Sequence, residues 1–348
     1  MQFNIFYLPK NKIMKNYKMI VGIDVSKLKL DVWLLQHPKD VEQKHFIVTN
    51  NEKGIKEIIK TIKKEKIAIE DCLFCFENTG IYSMPLCYCL SNLNVNYWVV
   101  NALEIKRSKG LTRGKNDKND SKEIAFYAFS HLHKLKLNVL PEKEISQLKI
   151  MFAERDKLIK AIGILEKTKE AENFMPKEIT KVVSNINTKT VVFLKAQLKE
   201  IESKMEQIVQ SNEKINEQIK LVKSVPGIGS QTALYLVLTT KCFESFDNWR
   251  QLACYSGIAP FEYSSGTSIK GRTKVNHLAD KKMKSMLQMC VLSAIKYDTE
   301  IKTYYTKKKN QGKHSMLIMN NIRCKIIARA FAVVSRGTPF VNTLKFAA

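Results

Sequence analysis

At 348 residues the chain is long enough for two or three folded units, and 58 Lys+Arg against 33 Asp+Glu leave a net charge of +25. That surplus attracts a polyanion and releases its counterions, so nucleic acid is the expected partner. No apolar run approaches the ~18 residues of a membrane span and no apolar secretory core stands at the N-terminus, which predicts a cytosolic, non-membrane protein whose eight cysteines are reduced thiols.

In chain order, residues 1–18 form a Lys/Asn-rich extension ahead of a second start at Met19 and carry no expected chemistry. Residues 19–25 and 30–35 read as strands joined by a tight turn at Ser26-Lys27-Leu28-Lys29, the first apolar almost throughout and therefore central. Ile55, Ile58, Ile59 and Ile62 give helical spacing over 52–66. A strand at 72–76 ends on Glu77, a helix follows over 82–93, and another strand over 95–100. Strands alternating with helices make residues 19–140 an α/β unit. Cys72-x-x-Cys75 and Cys87-x-Cys89 have spacings that zinc sites use, but residues three apart in a strand face opposite sides, which argues against zinc.

Residues 141–222 are helical and charged, with a break at Asn173-Phe174-Met175-Pro176. Val191, Leu194, Leu198, Ile201, Met205, Ile208, Ile215, Ile219 and Val222 alternate three and four apart if Asn212 takes its turn in the series. Such a heptad seam predicts a helical coiled-coil hairpin that pairs with itself or with a second chain, Asn212 fixing its register; a solvated two-helix spacer is the alternative. A third, mainly α-helical unit spans 223–348 and opens on Ser224-Val-Pro-Gly-Ile-Gly-Ser230. Gly227 and Gly229 suit a helix-hairpin-helix whose amides hold a phosphate, and equally a plain tight turn. Helices are predicted at 231–240, 248–256, 279–297 and 315–335, with an irregular loop between 257 and 272.

Two constellations can carry chemistry. Asp24 and Glu77 end apolar strands, and Asp117 and Asp120 share a face if their segment is helical. An unpaired carboxylate in such a place costs free energy unless a cation compensates it, and carboxylates that converge can hold one or two Mg²⁺ or Mn²⁺ ions for phosphodiester chemistry. Taken singly, Asp24 is an ordinary strand-end acid and Asp117 and Asp120 are ordinary helix-start acids. Lys106, Arg107, Lys109, Arg113, Lys115 and Lys118 would hold a nucleic-acid backbone nearby. The second constellation is Ser264-Ser265-Gly266, followed by a stretch, 266–314, with twelve Lys/Arg against three acids, Lys270, Arg272, Lys274, Lys282 and Lys284 among them. A serine hydroxyl needs a base, a metal or cations to attack phosphorus; without other information this segment is a polar loop.

The chain from 19 to 334 resembles the insertion-sequence transposases of the IS110 type, the bridge-RNA-guided serine recombinases. The resemblance rests on Gly22-Ile-Asp24-Val-Ser-Lys27, Glu77-Asn-Thr-Gly80 and Asp117-x-x-Asp120, then on Val225-Pro-Gly-Ile-Gly229, Phe246-Asp-Asn-Trp249, Leu252-Ala-Cys-Tyr-Ser-Gly-Ile-Ala-Pro260, Ser265-Gly266 and Asn321-Ile-Arg323-Cys-Lys325. It implies a RuvC-like (RNase H-like) Asp-Glu-Asp-Asp domain, with Asp24, Glu77, Asp117 and Asp120 as metal ligands, and a C-terminal domain in which Ser265 forms a covalent phosphoserine with DNA. Ser264 is the close rival for that role. It also implies target and donor double-stranded DNA chosen by base pairing to a non-coding guide (bridge) RNA of the element, a prokaryotic cytosol or nucleoid, and phosphate contacts from the basic residues, Arg323 and Lys325 included. Because the two catalytic parts fall on different predicted domains separated by a long helical arm, a homo-oligomer (dimer or tetramer) whose active sites combine domains from different chains is expected. Where many relatives carry a glycine and an arginine after the serine, this chain has Leu278-Ala-Asp-Lys-Lys-Met-Lys-Ser-Met-Leu287, so Lys282 or Lys284 would have to supply the contact without arginine's bidentate fork.

Overall fold

The computed structural model describes residues 16–36, 44–108, 116–167, 174–265, 269–275 and 278–342. The chain divides into two compact units, Met1–Leu140 and Pro141–Ala348.

In the first unit β1 (Met19–Val25), β2 (Lys29–Leu35), β3 (Lys44–Thr49), β4 (Cys72–Glu77) and β5 (Tyr97–Val100) form one sheet in the order β3-β2-β1-β4-β5. The apolar β1 is indeed central, antiparallel to β2 and parallel to β4. Strand alternation divides the apolar residues between two cores. Val21, Ile23, Phe74 and Phe76 pack beneath α1 (Glu52–Lys64) and α2 (Met84–Asn92), against Ile55, Ile58, Ile62 and Leu86. Asn51 caps α1 by accepting from the Gly54 amide, and burial of each of the three isoleucines contributes about 1.5–3 kcal/mol. On the opposite face Ile20, Leu73 and Cys75 meet α3 (Ala102–Ser108) and α4 (Asp117–Ser130) through Ile105, Ile124, Ala125 and Ala128. Cys72 and Cys75 therefore fall in separate cores.

Helix α4 lies so close to β1 that a Cβ on Gly22 would stand 2.4 Å from the Ser121 carbonyl oxygen and 2.5 Å from the Ala125 nitrogen. Glycine is what permits this approach. Strand β3 was not expected: it is a half-exposed edge strand whose Lys44-His-Phe-Ile-Val-Thr49 lacks a clean apolar alternation.

In the second unit α5 (Lys143–Lys167) and α6 (Lys177–Ser211) run antiparallel, tied by Arg155–Glu202 at 2.7 Å and Lys195–Glu166 at 2.6 Å. The continuous seam through Asn212 is corrected. Asn212 ends α6 in an extended conformation (φ −111°, ψ 103°), and its side chain accepts from the Ile215 amide to cap a new helix, α7 (Glu213–Lys223). A tight turn then leads to α8 (Ser230–Thr240); Gly227 has φ +93°, and a Cβ there would stand 2.5 Å from the Cys290 carbonyl.

After α9 (Trp249–Tyr255), the expected irregular loop is instead a two-stranded antiparallel hairpin, β6 (Pro260–Ser265) and β7 (Ile269–Val275). Three helices complete the unit: α10 (Lys281–Tyr297), α11 (Thr299–Asn310), which the charge-rich sequence concealed, and α12 (Ser315–Arg336). Asp298, 5 % exposed, joins all three: it ends α10, caps α11 through the Glu300 amide and accepts from Arg329 of α12 at 2.9 Å.

Candidate active site

The sheet's alternation decides which acids meet. Asp24 shares its strand face with Ile20, Asp31 with Trp33 and Leu35, and Glu77 with Leu73 and Cys75, so all three carboxylates belong to the side that α4 covers. Asp24 and Asp31 are direct partners in the β1–β2 register. The start of α4 supplies the rest: Asn116 accepts from the Lys118 amide as N-cap, leaving Asp117 and Asp120 as first-turn acids, which the helix dipole favours.

Asp24, Asp117 and Asp120, each half-buried, have carboxylate oxygens within 4.8 Å of one another. Glu77 lies outside that trio, although its charge reaches Asp24. Burial, and then the charges of Asp120, Asp117, Glu77 and Asp31, push the Asp24 carboxyl up to about 6. An all-oxygen set short of positive charge fits a hard divalent cation.

Three charged or polar neighbours of these carboxylates were missed in the sequence. Asp31 is 3 % exposed and accepts from both Lys29 Nζ at 3.1 Å and His45 Nε2 at 3.1 Å, while the same Lys29 ammonium donates to Asp117 Oδ2 at 2.8 Å. The two carboxylates raise the Lys29 pKa, Asp117 first. The signal was present: Asp31 interrupts the apolar run Leu30-Asp-Val-Trp-Leu-Leu35, and the argument applied to Asp24 applies to it equally.

The predicted basic residues fare differently. Lys106 and Arg107 end α3 exposed, and Lys118 is exposed on α4; Lys109, Arg113 and Lys115 lie outside the described residues. In the second unit Ser264, exposed, pairs in register with Lys270, and Ser265 with Ile269; of Ser265, Lys270, Arg272 and Lys274 only the strand positions are described, and Gly266 lies outside. Lys282 is ion-paired with Asp156 and sits 3.9 Å from the Phe152 ring centre, with burial and Arg155 pushing it down to about 8. Lys284 is half-buried. Lys325 lies 3.5 Å from Glu300 and 4.6 Å from the Tyr304 ring. Arg323, expected to contact phosphate, is 4 % exposed and donates to Asn320 and Gln288 inside the helix bundle.

Two family models match the chain in order. One, described as "Transposase" of the DEDD IS110 type, matches residues 21–168; the other, "Transposase IS116/IS110/IS902 family", matches residues 219–306. The first contains all four predicted metal ligands and the second contains the serine hairpin. The chain is 23 % identical over 334 residues to the pilin gene-inverting protein of Moraxella bovis, covering 93 % of this chain and 98 % of that protein, and equally so to its namesake from Moraxella lacunata. It is also 31 % identical over 119 residues to the uncharacterized 43.6 kDa protein of insertion element IS110 from Streptomyces coelicolor, covering 34 % of this chain and 29 % of that protein.

Proposed function

The chain belongs to the IS110 family of transposases, and from that premise we propose that it cuts and exchanges DNA strands through a covalent phosphoserine formed by Ser265, assisted by a divalent cation in a RuvC-like domain. The observation that carries the reading is the convergence of Asp24, Asp117 and Asp120 beneath the start of α4, inside the region that the DEDD-type match covers. Glu77, the fourth ligand of the proposal, ends the neighbouring strand on the same face. Mg²⁺ or Mn²⁺ bound there would neutralise charge on a phosphodiester and on the oxygens exchanged at it.

In the proposed step the Ser265 hydroxyl oxygen bonds to phosphorus and loses its proton, the bond from phosphorus to one strand end breaks, and that end leaves as a hydroxyl. The phosphodiester count is conserved, so a new strand end can reverse the step and religate. Relatives named for inverting a gene support exchange over simple hydrolysis, because inversion requires every break to be rejoined. Exposed cations such as Lys106 and Arg107 suit backbone contacts. With no base-reading motif beside a charge of +25, sequence choice by pairing to a guide RNA is part of the same proposal. The carboxylates belong to the first unit and the serine to the second, and a homo-oligomer completes the proposal.

The test is covalent trapping. Protein, nicked duplex from the ends of its own element, RNA transcribed from the flanking DNA and Mg²⁺ are combined and resolved on a denaturing gel. A DNA-linked protein band, absent in Ser265→Ala and present in Ser264→Ala, is the expected result. Cleaved DNA with no adduct, unchanged in Ser265→Ala, would replace this reading with hydrolysis by activated water at the carboxylates.

A further inference from the structure

Away from the carboxylates, the second unit contains a cavity of about 320 Å³ bounded by α5, α8, the end of α9 and the start of α10. Three aromatic residues line it, Phe152, Tyr235 and Tyr255, and the first two rings lie 5.2 Å apart. Phe152 is buried whereas Tyr255 is 45 % exposed, so the aromatic lining runs from the interior out to solvent. Four charged side chains also line the cavity, and three are already matched. Lys282 is ion-paired with Asp156 and stands over the Phe152 ring. Asp280 accepts from the Tyr235 hydroxyl at 2.8 Å and caps α10 through the Met283 amide at 2.9 Å.

Lys149 is the exception. It is half-buried, no carboxylate among the described residues acts on it, and burial, then the like charge of Lys241, push its pKa down. An ammonium group so placed lacks an anion. Inorganic phosphate would supply one and leave the rings uncovered. The volume lies at the lower end of the roughly 300–1,000 Å³ of small-molecule sites, which suits one flat base with its phosphate. Phenol rings and the Thr239 hydroxyl provide the stacking faces and polar groups that a base uses. We propose that this cavity receives one unpaired nucleotide of a single strand, its base against Tyr255 and Tyr235 and its phosphate on Lys149. Every base has a face to stack, so the site is sequence-tolerant. The inference rests on the nucleic-acid reading above and is independent of the serine chemistry.

The experiment is photo-crosslinking of the full chain. Single strands of RNA and of DNA carrying internal 5-iodouracil, and 5-iodouridine monophosphate alone, are irradiated with the protein, and crosslinked peptides are mapped by mass spectrometry. Iodouracil joins preferentially to aromatic side chains in stacking contact, so backbone binding elsewhere does not imitate the result. A crosslink from a strand to Tyr255 or Tyr235 is expected, and whether RNA or DNA gives it identifies the source. Its yield should fall several-fold in Lys149→Gln and persist in Lys149→Arg, with fold checked by circular dichroism. The wild-type map carries the test even where a variant misfolds. Crosslinks confined to other regions, with both strands bound in fluorescence anisotropy, would overturn the inference and leave nucleic-acid binding standing. An unchanged yield in Lys149→Gln would overturn the phosphate contact. Labelling of the cavity by the monophosphate and by neither strand would overturn the strand in favour of a free nucleotide. No binding of either strand would remove the nucleic-acid reading and the inference with it.

Discussion

At the residue scale, Asp24 concentrates the physics of the site. A carboxyl raised to about 6, against roughly 3.9 for an ordinary Asp, keeps a proton in the folded state that the unfolded chain has released. Stability therefore falls as pH rises from about 4 to about 6, and the whole penalty is present above that window. In metal-free, chelator-treated protein, Asp24→Asn should raise the melting temperature by a few degrees at pH 8 and leave it unchanged near pH 4. Equal melting at pH 8, measured by differential scanning calorimetry, would mean that the neighbouring cations already satisfy the cluster. The sequence revealed Asp24 because an acid closes an otherwise apolar strand. Asp31 carried the same signal inside its apolar run, but Lys29 was concealed because its importance depends on register: only the pairing of Asp24 with Asp31, and the approach of α4 over Gly22, bring residues from 29 to 120 to one place.

At the element scale, legibility followed burial. Strands β1, β2 and β4, buried on both faces, declared themselves as apolar runs, whereas the half-exposed β3 and the β6–β7 hairpin, rich in Lys, Ser and Thr, did not. Spacing alone also misled at Asn212, since three-and-four periodicity does not distinguish a seam asparagine from one that caps a new helix; only the backbone at φ −111° does. The same arm carries an unexplained apolar stripe. Ile179, Val182, Val183, Ile186 and Phe193 of α6 are each between 57 % and 69 % exposed at helical spacing. Residues of that kind on a long helix are best accounted for by a second copy of the arm, in keeping with the proposed oligomer. Ile186→Lys combined with Phe193→Lys should reduce the mass in multi-angle light scattering to that of a single chain without lowering the thermal stability of the first unit. A wild-type monomer, or an unchanged oligomer in the variant, would assign the stripe elsewhere.

At the scale of the whole molecule, a charge of +25 means that binding to nucleic acid should be governed by counterion release, yet many of the cations are already committed. Arg329 serves Asp298 and Glu300, Lys282 serves Asp156, and Arg323 is buried, so the basic stretch is less available than its composition suggests. Helix α11 is different: Lys302, Lys307 and Lys309 are exposed and have no ion-pair partner among the described residues. A phosphate contact contributes roughly 0.9 to the slope of log affinity against log salt on duplex DNA. Replacing all three by Gln should therefore lower the magnitude of that slope by up to about 3, with the same loss on unrelated sequences, because a lysine on a phosphate reads no base. Fluorescence anisotropy across a salt series measures both quantities at once. An unchanged slope would remove α11 from the interface; a loss confined to one sequence would mean that these lysines touch base edges and that part of the sequence choice belongs to the protein itself.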